Sequence, residues 1–232
     1  MQAKPRFLTI LEAITLVLLA VATAMVFFYA PTEATQGPVQ RIFYFHVAAG
    51  WVGMLSFGVA AIAGITYLVT KRHNWDIVGL SAVEVGVAFI FINIITGSIW
   101  ARPIWNTWWT WDPRLTTATV MQLIYLAYLM LRQGIEDPDR RARFGAVYTI
   151  LGFASVPLTY FSARLMRTIH PIVFGSGDPS AEGSFPMTSP MLQTLIFSII
   201  TFSFIFITLL WNRIRLGRFS NHIEQLKLKT MS

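Results

Sequence analysis

The chain has 232 residues and no cysteine, with 55% hydrophobic and only 12% charged residues, about half the roughly 25% charged content of an ordinary soluble domain. That composition excludes a soluble enzyme, a disordered tail and a disulfide scaffold, and leaves a polytopic membrane protein. The missing thiols also exclude cysteine metal ligands, a cysteine nucleophile and thioether attachment of a cofactor.

Six apolar stretches follow in chain order, at 7–30, 42–70, 77–99, 115–131, 144–163 and 191–211. Most are near the roughly 20 residues that cross a hydrocarbon core as helix. The second is long enough for one end to project beyond the lipid. The first is too long for a signal-peptide core and lacks a small-x-small cleavage site, so it reads as a retained helix. The fold class is therefore an all-α integral membrane protein of six transmembrane helices, with residues 1–232 forming one membrane domain.

An even number of spans puts both termini on one side. That side carries thirteen Lys and Arg: Lys4, Arg6, Lys71, Arg72, Arg132, Arg140, Arg141, Arg143, Arg213, Arg215, Arg218, Lys227 and Lys229. The other side carries five: Arg41, Arg102, Arg114, Arg164 and Arg167. By the positive-inside rule both termini are cytoplasmic, and the net charge of +7 records topology. No basic and aromatic surface stands outside this pattern, so nucleic acid is not an expected partner. A Gly-, Ser- and Pro-rich stretch at 175–190 reads as a flexible outer loop, and 212–232 as a basic cytoplasmic tail.

Five of the eight tryptophans fall in residues 100–111, in the outer segment 100–116 between spans three and four. Trp105, Trp108, Trp109 and Asp112 follow i, i+3, i+4, i+7 spacing, which predicts a short helix from Pro103 with those four on one face and Trp111 to the side. A lone Trp at this depth is an interfacial anchor. A cluster this dense makes an aromatic shelf suited to a large, flat, apolar ligand.

Of four histidines, His73 and His222 fall on the inner side, His46 and His170 on the outer. His46 lies near the outer end of the over-long second span, and His170 follows the fifth. Both sit at the level of the tryptophan shelf. A flat apolar ligand with a metal centre is a haem, and neutral imidazole is a standard axial ligand of haem iron. The outer arginines are candidates to pair with its propionates. Glu12 and Glu84 are acids within spans, hence functional candidates. Asn93 reads as an interhelical hydrogen-bonding group.

The run Trp105-Asn-Thr-Trp-Trp-Thr-Trp-Asp-Pro-Arg-Leu-Thr116 resembles the tryptophan-rich "WWD" segment of the haem-handling proteins of cytochrome c biogenesis. It is most similar to the cytochrome c maturation protein C (CcmC) branch. Arg41-Ile-Phe-Tyr-Phe-His-Val-Ala-Ala-Gly-Trp51 and Arg167-Thr-Ile-His-Pro171 resemble the two histidine segments of that branch, and the likeness covers essentially the whole chain. Leu165-Met166 stands where the family pattern has a Trp pair, and Val47-Ala-Ala where it has Val-Pro-Ala.

The resemblance implies a non-enzymatic role in a bacterial inner membrane. It implies haem b held non-covalently at the outer face, with His46 and His170 as axial ligands. It implies Trp105, Trp108, Trp109, Trp111, Asp112 and Arg114 as the haem-binding platform. It further implies delivery of haem to the chaperone CcmE, in a complex with CcmA, CcmB and CcmD. Two readings from other classes compete. A bis-His b-type electron-transfer cytochrome calls for histidine pairs near both membrane faces. A lipid-linked glycosyl transferase calls for more outer acids than Glu33, Asp112, Asp178 and Glu182.

Overall fold

A computed structural model of the chain describes residues 4–173 and 183–231. Among these residues six helices or helix pairs are long and apolar enough to cross a membrane. Helix α1 (Arg6–Ala24) runs on through a wide π-helical turn at Met25–Tyr29. A tight turn follows, in which the Thr35 and Gln36 amides donate to Glu33 Oε2 and Gly37 takes φ +61°. That left-handed conformation suits a residue without Cβ. A 3₁₀ turn, Pro38–Arg41, feeds α2 (Ile42–Thr70). Then come α3 (His73–Trp105), α4 (Pro113–Gln133), α5 (Pro138–Gly152), α6 (Ser155–Leu165) and α7 (Ser189–Met231).

The second expected span coincides with α2, and three others differ for identifiable reasons. The third extends past 99 through Pro103 to Trp105. A proline in the last helical turn removes only one ladder bond. Arg102 caps the end of the helix, donating to the Asn106 carbonyl at 2.7 Å and to its Oδ1 at 2.6 Å. The fifth starts at Pro138 and is broken between α5 and α6. Pro157 has no N–H to give Phe153, so the Val156 amide bonds Phe153 O instead and Ser155 Oγ takes Gly152 O at 2.6 Å. The sixth continues as α7 through the expected basic tail to Met231. Much of the loop expected at 175–190 lies outside the described residues, which resume at 183.

Only Lys71 and Arg72 separate α2 from α3, so the two helices form a tight antiparallel hairpin. Small buried residues make the approach possible: Ala49, Gly53, Ser56, Ala60 and Gly64 recur along one side of α2. A Cβ on Gly86 would stand 2.6 Å from Phe57 Cε1, so larger side chains there separate the helices. Beyond this hairpin Phe57 stacks on Tyr125 of α4, with ring centroids 3.5 Å apart and planes 5° from parallel.

The acids within the spans are structural here. Glu84 pairs with Arg213, Oε1 accepting from Nη2 at 2.7 Å and Oε2 lying 2.5 Å from Nε, and ties α3 to α7. Asp76 and Arg132 form a buried two-point pair between α3 and α4. Glu12 accepts from Lys4 and, at 3.0 Å, from Asn212. An acid in an apolar bundle is tolerated when paired in this way.

Candidate functional site

The ends of α3 and α6 and the starts of α2 and α4 gather at one end of the bundle. His46 lies one turn inside α2. Its Nδ1 is 2.9 Å from the carbonyl oxygen of Asn93 on α3. A carbonyl only accepts, so Nδ1 carries the proton and Nε2 keeps its lone pair. His170 sits in the non-helical segment after α6. Its Nδ1 is 2.9 Å from the carbonyl of Pro171, with the same consequence. Both imidazoles thus present the tautomer that metal-ligating histidines adopt when a backbone carbonyl holds the other nitrogen. Burial, then the Arg114 guanidinium, then His46 push the His170 pKa down to about 3. The ring is neutral at physiological pH.

The two ring centroids lie 6.4 Å apart, with the ring planes inclined by 37°. A metal about 2 Å from one nitrogen of each of two imidazoles needs ring centroids about 6 Å apart. The observed separation fits.

Asp112 builds the His170 side. It is the N-cap of α4, accepting the Arg114 amide at 2.9 Å, with Pro113 at the first helical position. Its carboxylate also accepts the Thr168 hydroxyl at 2.6 and 2.7 Å and the Ile169 amide at 2.9 Å. Thr168 Oγ1 in turn accepts the His170 amide at 3.0 Å. One buried carboxylate therefore fastens the segment that carries His170 to the start of α4.

The short helix expected over 103–112 is absent. Trp105 ends α3, Asn106 takes φ +54°, and 107–112 is non-helical. Asp112 must adopt extended backbone, ψ 146°, to serve as N-cap before a proline. That requirement defeats the shared helical face.

The aromatic residues gather around the histidines by tertiary contacts instead. Trp100 and Trp105 meet edge to face at 5.2 Å, and Trp105 meets the His170 ring at 6.4 Å. Trp109 and Trp111 meet edge to face at 5.9 Å. The cavity at this end of the bundle is open at one side and holds about 1000 Å³ of empty space, solvent at its mouth included. His46, His170, Trp105, Trp108, Trp109 and Arg114 line it. Trp111 and Asp112 do not. Trp111 is 76% exposed, and Asp112 is buried behind the His170 segment.

Of the five arginines at this end, Arg114 alone lines the cavity. Its guanidinium donates to the Thr159 carbonyl of α6. Arg102 caps α3, Arg41 lies over Phe27, and Arg164 lies over Tyr160. A half-buried cation in an apolar cavity is favourable for an anionic ligand group. Leu165 and Met166, where the family pattern has a Trp pair, are 80% and 49% exposed and do not line the cavity.

Sequence reasoning gave Asn93 no place in the site, and Gly50, Gly97, Met54, Met121 and Thr159 none at all, yet all line the cavity. The readable signal was the spacing of the glycines, each four residues after His46 or Asn93. Its meaning needed the helix pair.

The family model described as "Heme exporter protein C" matches residues 1–229. The chain belongs to the heme exporter protein C family. It is 35% identical over 206 residues to the heme exporter protein C of Bradyrhizobium diazoefficiens, which covers 88% of this chain and 76% of the relative. It is 31% identical over 203 residues to that of Haemophilus influenzae, covering 88% and 81%. It is 29% identical over 216 residues to that of Rhodobacter capsulatus, covering 93% and 88%. The family match spans both histidine segments and the tryptophan segment together.

Proposed function

We propose that this chain is a haem-handling membrane protein of cytochrome c biogenesis that holds one haem b, non-covalently, in the cavity between His46 and His170. The observation that carries the reading is the imidazole pair, each with Nδ1 held by a carbonyl, in an apolar cavity that also contains Arg114. The bound iron supplies the coordination chemistry. The chain's own residues orient the two nitrogens, supply indole surface through Trp105, Trp108 and Trp109, and offer Arg114 to a propionate.

Two neutral imidazoles would hold the haem iron by coordination alone, and the absence of cysteine removes any thiol that could capture the haem vinyl groups. Such a carrier can release what it holds. The reading continues with cytoplasmic termini, the site at the periplasmic face of a bacterial inner membrane, and transfer to CcmE within a CcmA, CcmB and CcmD complex. Exposed Trp108 and Trp111 are the surface such an acceptor would meet.

The test is the absorption spectrum and haem content of the purified full chain. One low-spin haem per chain is expected. A second haem per chain favours the electron-transfer cytochrome reading, and failure to bind haem overturns the proposal.

Arg114 gives a sharper check. Loss of a charge-assisted hydrogen bond worth about 1.5–3 kcal/mol corresponds to roughly 10- to 100-fold in affinity. Arg114→Gln is expected to weaken haem binding within that range, read as faster transfer to apomyoglobin. With haem dimethyl ester, which has no propionate charge, the wild type and the variant should bind alike. Equal affinity for the free-acid haem would remove Arg114 from the site.

A further inference from the structure

We infer that Asn93, seated by Gly50, is the positioning residue that aims the His46 imidazole, itself seated by Gly97, into the cavity. The inference rests on the ligand role of His46 proposed above. The α2–α3 pair is reciprocal at this point. The His46 ring donates through Nδ1 to the Asn93 carbonyl at 2.9 Å, and the Asn93 side-chain amide donates to the His46 carbonyl at 2.8 Å. The same amide nitrogen lies 3.3 and 3.4 Å from the two ring nitrogens, so it also rests against the imidazole. Thr96 Oγ1 donates to the Ile92 carbonyl at 2.7 Å, lies 3.1 Å from the Asn93 carbonyl and stands 3.3 Å from Nδ1, closing that side of the ring.

Each residue is followed four positions later by a glycine, which on a helix is the next residue along the same face. Each glycine makes room for the opposite side chain. A Cβ on Gly50 would stand 2.8 Å from Asn93 Nδ2, and a Cβ on Gly97 would stand 2.8 Å from His46 Cε1. Both are closer than carbon and nitrogen atoms approach without displacement. Elsewhere between α2 and α3, Gly53 receives Ile90 and Gly86 receives Phe57, which is ordinary apolar packing, and Gly64 turns instead to the Thr149 hydroxyl and Ala146 carbonyl of α5. At Gly50 and Gly97 the two notches hold polar groups, and all four residues of the unit line the cavity. Close packing alone does not require that arrangement. A rigid, single orientation for the ring does.

The unit fixes two properties of His46 together. The carbonyl bond sets the tautomer, and the glycine notch leaves room for the ring at a position from which a methyl group on Gly97 would displace it. Partners of this kind typically change metal affinity 10- to 100-fold when removed.

The experiment uses the full chain in detergent, titrated with haem b, with absorption spectrum, affinity and midpoint potential as readouts. Gly97→Ala and Asn93→Ala are expected to weaken haem binding by about 10-fold or more and to shift the midpoint potential. Gly79→Ala is the control on the same helix, because a methyl there would stand 3.7 Å from the Ala63 Cβ, an ordinary contact. It should leave all three readouts unchanged. Each variant is then repeated in a His46→Ala background. If Asn93 and Gly97 act through His46, their effects on affinity and potential vanish there.

Wild-type values for both single variants, or effects of equal size in the His46→Ala background, overturn the inference while leaving the ligand reading intact. An unchanged haem spectrum in His46→Ala overturns the ligand reading itself, and the positioning role with it. Should Gly97→Ala fail to fold, the Asn93→Ala pair of measurements decides alone.

Discussion

His46→Ala and His170→Ala protein, purified with haem, is expected to lose the low-spin spectrum of a bis-imidazole haem. One remaining ligand leaves the iron five-coordinate and high-spin. The fall in haem affinity should exceed roughly 100-fold, the upper end of what removing an outer hydrogen-bond partner costs. Added imidazole should restore the low-spin spectrum in either variant, because truncation to alanine leaves a hole of the ring's own shape beside an intact partner. The two variants should behave alike, since each ring presents the same free nitrogen to the shared space. Absorption and electron paramagnetic resonance spectra check the result. A low-spin haem retained in both variants would sink the ligand assignment. Haem delivery and cytochrome c yield should fall with it in cells.

The second large effect is expected at Asp112, which the geometry removes from the cavity wall and places behind the His170 segment. Asp112→Ala deletes the α4 N-cap, worth about 1 kcal/mol. It also strands the Thr168 hydroxyl and the Ile169 amide. Each such bond to a charged group contributes about 1.5–3 kcal/mol, so the segment carrying His170 loses its fastening. The expected spectrum is that of His170→Ala, a five-coordinate haem on His46, in a protein whose helical bundle is intact. Asp112→Asn keeps an N-cap oxygen but has one acceptor oxygen in place of two, and should fall between.

Trp111→Ala provides the contrast. Its side chain is 76% exposed and off the cavity wall, so intrinsic haem affinity should change little. Any loss confined to hand-over in the assembled complex would mark it as acceptor-facing. If Asp112→Ala retains bis-histidine ligation, the fastening role fails. If Trp111→Ala loses haem as fully as Asp112→Ala, the distinction drawn between the two fails.

The six spans, the fold class and the gathering of His46, His170 and the tryptophans at one end were legible in the sequence. Hydropathy is summed locally over about 20 residues, and no distant contact reverses it for helices this apolar. The family could be read as well, because the tryptophan segment and both histidine segments are contiguous runs of unusual composition. The helical face drawn through Trp105, Trp108, Trp109 and Asp112 failed for a reason also written in the chain. An Asp before a Pro, followed by an apolar run, is an N-cap signature, and an N-cap has extended backbone.

Packing alone decided the rest. It chose Arg114 among five arginines, because of the five only Arg114 lines the cavity once the helices have packed. It turned Glu12 and Glu84 into structural pairs, because α7 brings Asn212 and Arg213 beside them. It made Asp112 a fastening for Thr168 and Ile169. It gave Asn93, Gly50 and Gly97 their meaning, because a notch on one helix matters only for the side chain the other helix brings to it. Span identity is a property of short stretches of chain. The aim of an imidazole is a property of residues far apart in sequence, and it exists only once the helices have packed.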